Sequence, residues 1–231
     1  MTINAKRLYH GTTSRHLTRI MSYGIKPRGT RRKGNWETFP SRPDFVYLTT
    51  AYAPYFAWNA ADTSRDEKAL IVEVDASLLD ESRLFPDEDF VAQAISQTEK
   101  RPLSEVHPKV RDTLLYYGDL TQASIDHLGN VAHRGTVQPE AITRHAIIDL
   151  KKQRDLAWAC MDPSISCINY KICGSKYRSI IAWIFGDRPD FEVGHGVPNE
   201  QYLPMIEKLQ PGYTEQVSRV FENRDGIEVS G

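Results

Sequence analysis

Apolar positions fall into a short series of strand-like runs in the first two thirds of the chain. Leu8 and Tyr9 end a short strand that turns at Gly11, and Leu17, Ile20 and Met21 form the stripe of a helix over 16–23 closed by Gly24, with Ser14 as its cap. Phe45–Leu48 and Ala69–Val74 read as strands, and between them a short helix carries Tyr55, Phe56 and Trp58. Phe90–Gln97 and Leu103–Asp126 have helical spacing, the second interrupted by Pro108. Val131–Val137 and Ala146–Leu150 are further strands. Beyond 150 the pattern predicts strands at 165–172 and 179–185, flanking Gly174-Ser175-Lys176, and one late helix over 214–223. Short strands mixed with helices in this order predict an α+β fold.

The segment from Ile25 to Asp44 breaks the pattern. It is rich in Gly, Pro and Arg, lacks periodicity, and carries Trp36 and Phe39 in a polar setting, which suggests a loop that closes on a ligand. Charge sharpens this expectation. Net charge is only −1, yet residues 1–45 carry ten Lys and Arg against two acids, and residues 46–90 carry three against ten acids. A basic segment beside a site suits a phosphate-bearing ligand, and a solvated surface loop is the other use of such a run. No 18-residue apolar run marks a membrane span, and Met1–Lys6 lacks the apolar stretch of a signal peptide. Three cysteines suit the reducing cytoplasm better than a disulfide framework. Cys160, Cys167 and Cys173 with His195 lack the paired spacing of a zinc knuckle.

Two strand ends carry the candidate chemistry. His10-Gly11-Thr12 ends the first strand, where a residue without Cβ lets a ligand approach the backbone. Val46-Tyr47-Leu48-Thr49 repeats the design with a ring, a hydroxyl and a following aromatic helix. In order and spacing these motifs resemble the ADP-ribosyltransferase superfamily, over residues 7–75 and more loosely 126–148, with a helical insertion at 91–126. The similarity is to small bacterial members, the DarT-like and rifampin-modifying enzymes, and to the related RNA 2′-phosphotransferases.

The resemblance implies a split, mixed or antiparallel sheet in a catalytic domain over 1–150, with 151–231 as an extension packed on it. It further implies that NAD is the substrate, gripped by His10 and Tyr47, with Gly11, Thr12, Thr49 and Tyr55 beside it. Trp58, eleven residues after Tyr47, stands at the position of a further ring, and Arg28 or Arg42 is the candidate for the pyrophosphate. Cleaving the nicotinamide bond generates an oxocarbenium-like sugar, so a carboxylate should face it. The late-strand Glu of many family members is replaced here by Asn130. The acid then comes from Asp87, Glu88 or Asp89, of which Asp87 and Asp89 are the expected catalytic pair, or from Glu140; a helix cap at Asp89 is the alternative use of the cluster.

The expected activity is mono-ADP-ribosyl transfer, with nucleic acid as the expected acceptor and protein or a small molecule as the others. A toxin or phage-defence effector, with an inhibitory antitoxin or chaperone bound to residues 150–231, is the role this implies. RNA 2′-phosphotransfer is the alternative within the fold, although those enzymes carry His where Tyr47 stands. A catalytically inactive NAD- or RNA-binding module is the alternative outside enzymes.

Overall fold

The computed structural model describes residues 3–30, 39–161, 170–187, 208 and 211–231. Its centre is a seven-stranded, fully antiparallel sheet in the order β4-β5-β2-β1-β3-β6-β7. The strands are β1 (Arg7–Thr13), β2 (Phe45–Thr49), β3 (Ala69–Asp75), β4 (Leu84–Pro86), β5 (Asn130–Arg134), β6 (Ile142–Ile148) and β7 (Ile227–Ser230). The helices are α1 (Leu17–Tyr23), α2 (Ala53–Ala60), α3 (Glu88–Glu99), α4 (Leu103–Thr113), α5 (Thr121–Leu128), α6 (Arg154–Met161), α7 (Tyr170–Phe185) and α8 (Tyr213–Val220). The expected α+β class is therefore observed.

An inner strand, β3, explains why both faces are covered. Ala69, Leu70, Ile71, Val72 and Val74 of β3 are all buried, an apolar run interrupted by buried Glu73, which Arg144 and Thr143 hold, and only a sheet packed on both sides can satisfy it. Leu8, Val46, Leu48, Leu70 and Val72 face one side and meet Ile20 of α1 and Ile125 of α5. Tyr9, Ala69, Ile71, Ala146 and Ile148 face the other and meet α2, α6 and α7. Fully burying side chains such as Leu70 and Ile71 contributes about 1.5–3 kcal/mol each. The helices α3 and α4 form a third cluster against Phe45 and Ala132, built on Val91, Ala92, Val106, Val110 and Leu114.

Several expectations are corrected. The first strand does not turn at Gly11. It continues to Thr13, and every residue from Arg7 to Thr13 opposes one of β3. Gly11 is small because α2 crosses it: a Cβ there would lie 2.1 Å from the Ala53 carbonyl oxygen. Ser14 does not cap α1; one tight helical turn over Ser14–His16 precedes it, and Gly24, at φ 74°, ends it. Pro108 lies inside α4, and the break comes later, where a tight helical stretch (Leu114–Leu120) contains Tyr117 at φ −107° and ψ 19°. Gly135, at φ 83°, follows the end of β5.

The predicted strand at 179–185 is the second half of α7. Buried Tyr177, Ile180, Ile181, Ile184 and Phe185 follow the i, i+3, i+4, i+7, i+8 repeat of a helix. Gly174-Ser175-Lys176 is therefore mid-helix, and Lys176 donates to the Ala159 carbonyl at 2.9 Å. Most of the other predicted strand, at 165–172, lies outside the described residues, and its last three residues belong to α7. Two short edge strands, β4 and β7, were absent from the sequence pattern, and β7 joins residues beyond 150 to the sheet.

A Gly11→Ala variant should force α2 off β1. Destabilisation of about 1–3 kcal/mol is expected, read from the urea midpoint with an unchanged slope.

Candidate functional site

The sheet is not continuous at its centre. Pairing between β1 and β2 stops at Tyr9–Thr49, although the same register would bring Thr13 opposite Phe45. A cleft of about 980 Å³ opens there, lined by His10–Thr13, Phe45–Leu48, α1, the loop from Ile25, Phe56, the acids 87–89 and Asn130. His10 spans the gap. Its Nδ1 lies 3.0 Å from the Tyr47 carbonyl oxygen, which only accepts, so Nδ1 carries the proton and Nε2 remains an acceptor. Burial pushes its pKa down and keeps the ring neutral.

Tyr47 is fastened at its tip. Its hydroxyl lies 2.7 Å from both carboxylate oxygens of Glu88, to which it donates, and accepts the Arg42 backbone N–H at 3.0 Å. Glu88 stands in the first turn of α3 and is only 2% exposed. Burial raises its pKa above the ordinary carboxylate range, against the hydrogen bond from Tyr47. The Tyr47 phenol is pushed well above its usual value by burial and then by the Glu88 charge.

The adjacent acids have different surroundings. Asp87 caps α3, accepting the Asp89 N–H at 2.8 Å. Burial, then the neighbouring charges of Asp89 and Glu88, hold its pKa well above normal, while a hydrogen bond with the Asn130 side chain opposes this. Asp89 is half-exposed, and its Oδ1 lies 2.9 Å from Nε2 of His107. Ser124 of α5 ties this end together: its hydroxyl accepts the Asp87 N–H at 3.0 Å and donates to the Asn130 carbonyl at 2.8 Å. The side-chain oxygen of Asn130 is buried without a hydrogen-bond partner.

Of the expected site residues, His10, Gly11, Thr12, Arg28, Arg42, Tyr47, Asp87 and Asp89 line the cleft together. Thr49 does not. Its hydroxyl accepts the Ala51 and Tyr52 N–H groups at 3.1 and 3.0 Å and donates to the Gly129 carbonyl, closing the turn into α2. Tyr55 and Trp58 point to the far side of α2 and pack on the cluster formed with α6 and α7. Phe56, one position along the helix from Tyr55, is the ring that reaches the cleft. Glu140 is exposed after β5 and outside it. Glu88, an open alternative in the acid cluster, holds the place nearest Tyr47.

Both arginines already hold the chain. Arg28 donates to the Ser41 and Gly29 carbonyls at 2.5 and 3.2 Å, closing the base of the loop, and Arg42 makes a two-pronged pair with Asp44 at 2.9 and 3.0 Å. Trp36 and residues 31–38 around it lie outside the described residues. The cleft lining also carries Arg15, which pairs with Glu67 at 2.9 Å, together with His16, Arg19 and Lys26. The cleft lining thus holds both basic and acidic side chains. Among the described residues no cluster of His, Cys, Asp and Glu could hold a metal ion, and no helix is long and apolar enough to cross a membrane.

No protein-family model and no curated protein matches the chain. Among solved structures it is similar to EcPltA, with a TM-score of 0.35 and 9% identity over 63% of this chain and 77% of that one. A likeness this loose carries no functional argument.

The raised carboxyls make the fold sensitive to pH. A buried acid of this kind stabilises fully only below its ordinary pKa, and the contribution is lost as pH rises through the raised folded value. Glu88→Gln keeps an acceptor for Tyr47 and removes the charge. Its melting temperature should exceed that of the wild type at pH 8, with the difference closing towards pH 4.

Proposed function

We propose that the chain is an NAD-dependent mono-ADP-ribosyltransferase that modifies nucleic acid. The observation that supports this most is the charge carried by the cleft lining: a buried carboxylate held by a tyrosine, together with the exposed cations Arg19 and Lys26. A dinucleotide has the matching charges, with anionic phosphates and a sugar that becomes cationic when its base departs.

In this reading Arg19 and Lys26, exposed on the cleft lining, take the phosphates. His10 accepts a hydrogen bond from a ribose hydroxyl through Nε2. Tyr47 and Phe56 offer ring surface to the nicotinamide, whose positive charge favours an aromatic face. As the C1′–N bond breaks, its electron pair leaves with neutral nicotinamide, and the Glu88 carboxylate offsets the charge on C1′. An acceptor oxygen or nitrogen then bonds C1′ and loses its proton to Asp89, the acid that solvent and an acceptor can reach. The same cations, continued in sequence by Arg31, Arg32 and Lys33, favour a polyanionic acceptor over a neutral one. An effector of the toxin or phage-defence kind is the role such chemistry would serve.

Incubation with labelled NAD and, separately, RNA, single-stranded DNA and protein substrates tests the reading. Nicotinamide release with label on nucleic acid is expected, and Glu88→Gln should lower the rate by about 10²-fold or more with NAD affinity retained. The wild-type rate should rise with pH through a group titrating above the ordinary carboxylate range, because Glu88 acts ionised. Binding without turnover would identify an inactive NAD-binding module instead, and absence of NAD binding would overturn the proposal.

A further inference from the structure

The helical insertion meets residues that line the cleft through His107 and Arg111 of α4. His107 of α4 has a side chain only 2% exposed, yet its Nε2 meets Oδ1 of the half-exposed Asp89 at 2.9 Å. The Phe39 ring, also at the cleft, tilts against the imidazole with centroids 5.0 Å apart. One turn further along α4, the Arg111 carbonyl accepts from the Arg42 guanidinium at 3.0 Å. The helix therefore grips the acid cluster and the loop beside it through separate contacts.

An ionised carboxylate can only accept, so a buried imidazole facing it presents an N–H, here on Nε2. This fixes the ring tautomer and engages one carboxylate oxygen, leaving Oδ2 for the cleft. An unrestrained aspartate at a half-exposed position would exchange between staggered rotamers and turn into solvent. We propose that His107 is a positioning residue, which holds the Asp89 carboxylate with its second oxygen towards the cleft. The consequence for catalysis rests on the transferase reading: as the acceptor bonds C1′, its proton passes to the oriented Asp89 oxygen. The His107–Asp89 pairing itself does not depend on that reading.

Fastening α3 to α4 is the purely structural role such a pair could have, and it lowers stability rather than turnover when lost. The test uses His107→Leu and His107→Gln, alone and in an Asp89→Asn background, with melting temperature measured for each. His107→Leu should leave KM for NAD unchanged and lower kcat for transfer on the order of 10²-fold, since small misplacements near the reacting atoms cost that much. His107→Gln, whose amide can still donate, should recover most of the rate. In the Asp89→Asn background His107→Leu should add little further loss. Equal losses in both backgrounds, or a fall in melting temperature with kcat intact, would overturn the proposal.

A second arm needs no turnover and no His107 variant. Imidazole nitrogen NMR of the wild type should show His107 as the Nε2–H tautomer, and Asp89→Ala should abolish that preference. The same tautomer in both proteins would overturn the pairing, even if NAD cleavage is observed. A wild type with the expected tautomer but no NAD chemistry would instead remove the transferase reading and keep the positioning role.

Discussion

One ladder that stops early governs this molecule. β1 and β2 pair at Tyr9 and Thr49 and then part, which leaves backbone groups near the centre of a sheet without strand partners. His10 answers for one of them by donating to the Tyr47 carbonyl. The consequences follow outward from that bond. The imidazole is neutral with a defined tautomer, its other nitrogen is available, and the two strands hold a cleft open between them. On its other edge β1 pairs with β3 from Arg7 to Thr13, and Gly11 leaves room for α2 to pack against it. The opening thus lies where two strands of the sheet part, and the loop from Ile25 completes its lining.

The acid cluster is maintained against a cost. Asp87 and Glu88 lie buried beside each other and beside Asp89, where desolvation and mutual repulsion both disfavour charge. The helix start offsets part of this, since the first turn of α3 presents N–H groups and the positive end of its dipole. Tyr47 and the Arg42 N–H donate to Glu88, and the Asn130 side chain hydrogen-bonds Asp87. Such an arrangement lowers stability where neutral side chains would raise it, which is the pattern expected when a cleft is shaped for chemistry.

Apart from the three-residue β4, most strands and helices of the first half were legible because their apolar positions form strand-length runs or repeat at 3.6 residues. Its site was legible less completely. His10 and Tyr47 come together as their strand ends suggested, but Tyr55 and Trp58 fall on the wrong side of α2. A shift of one residue turns a side chain by about 100°, so Phe56 faces the cleft and its neighbours do not. The acid cluster was visible as a run of charge. Which acid caps the helix and which meets Tyr47 depends on α3 starting at Glu88, a boundary that composition does not set. In α7 the helical repeat begins at Tyr177, and a window opened at Ser179 shows only a continuous apolar run that suits either element.

What the amino-acid sequence determined by itself was therefore local: the periodicity of each element, the charge asymmetry between the first and second forty-five residues, and the residue types at two strand ends. These follow from contacts a few residues apart. Tertiary structure alone decided where the sheet parts, which face of α2 meets the cleft, and that Glu88 rather than Glu140 approaches Tyr47. It also brought His107, from an insertion with no visible chemistry of its own, against Asp89. Such pairings join positions 18 to 41 residues apart through packing around a common core, and no local pattern carries them.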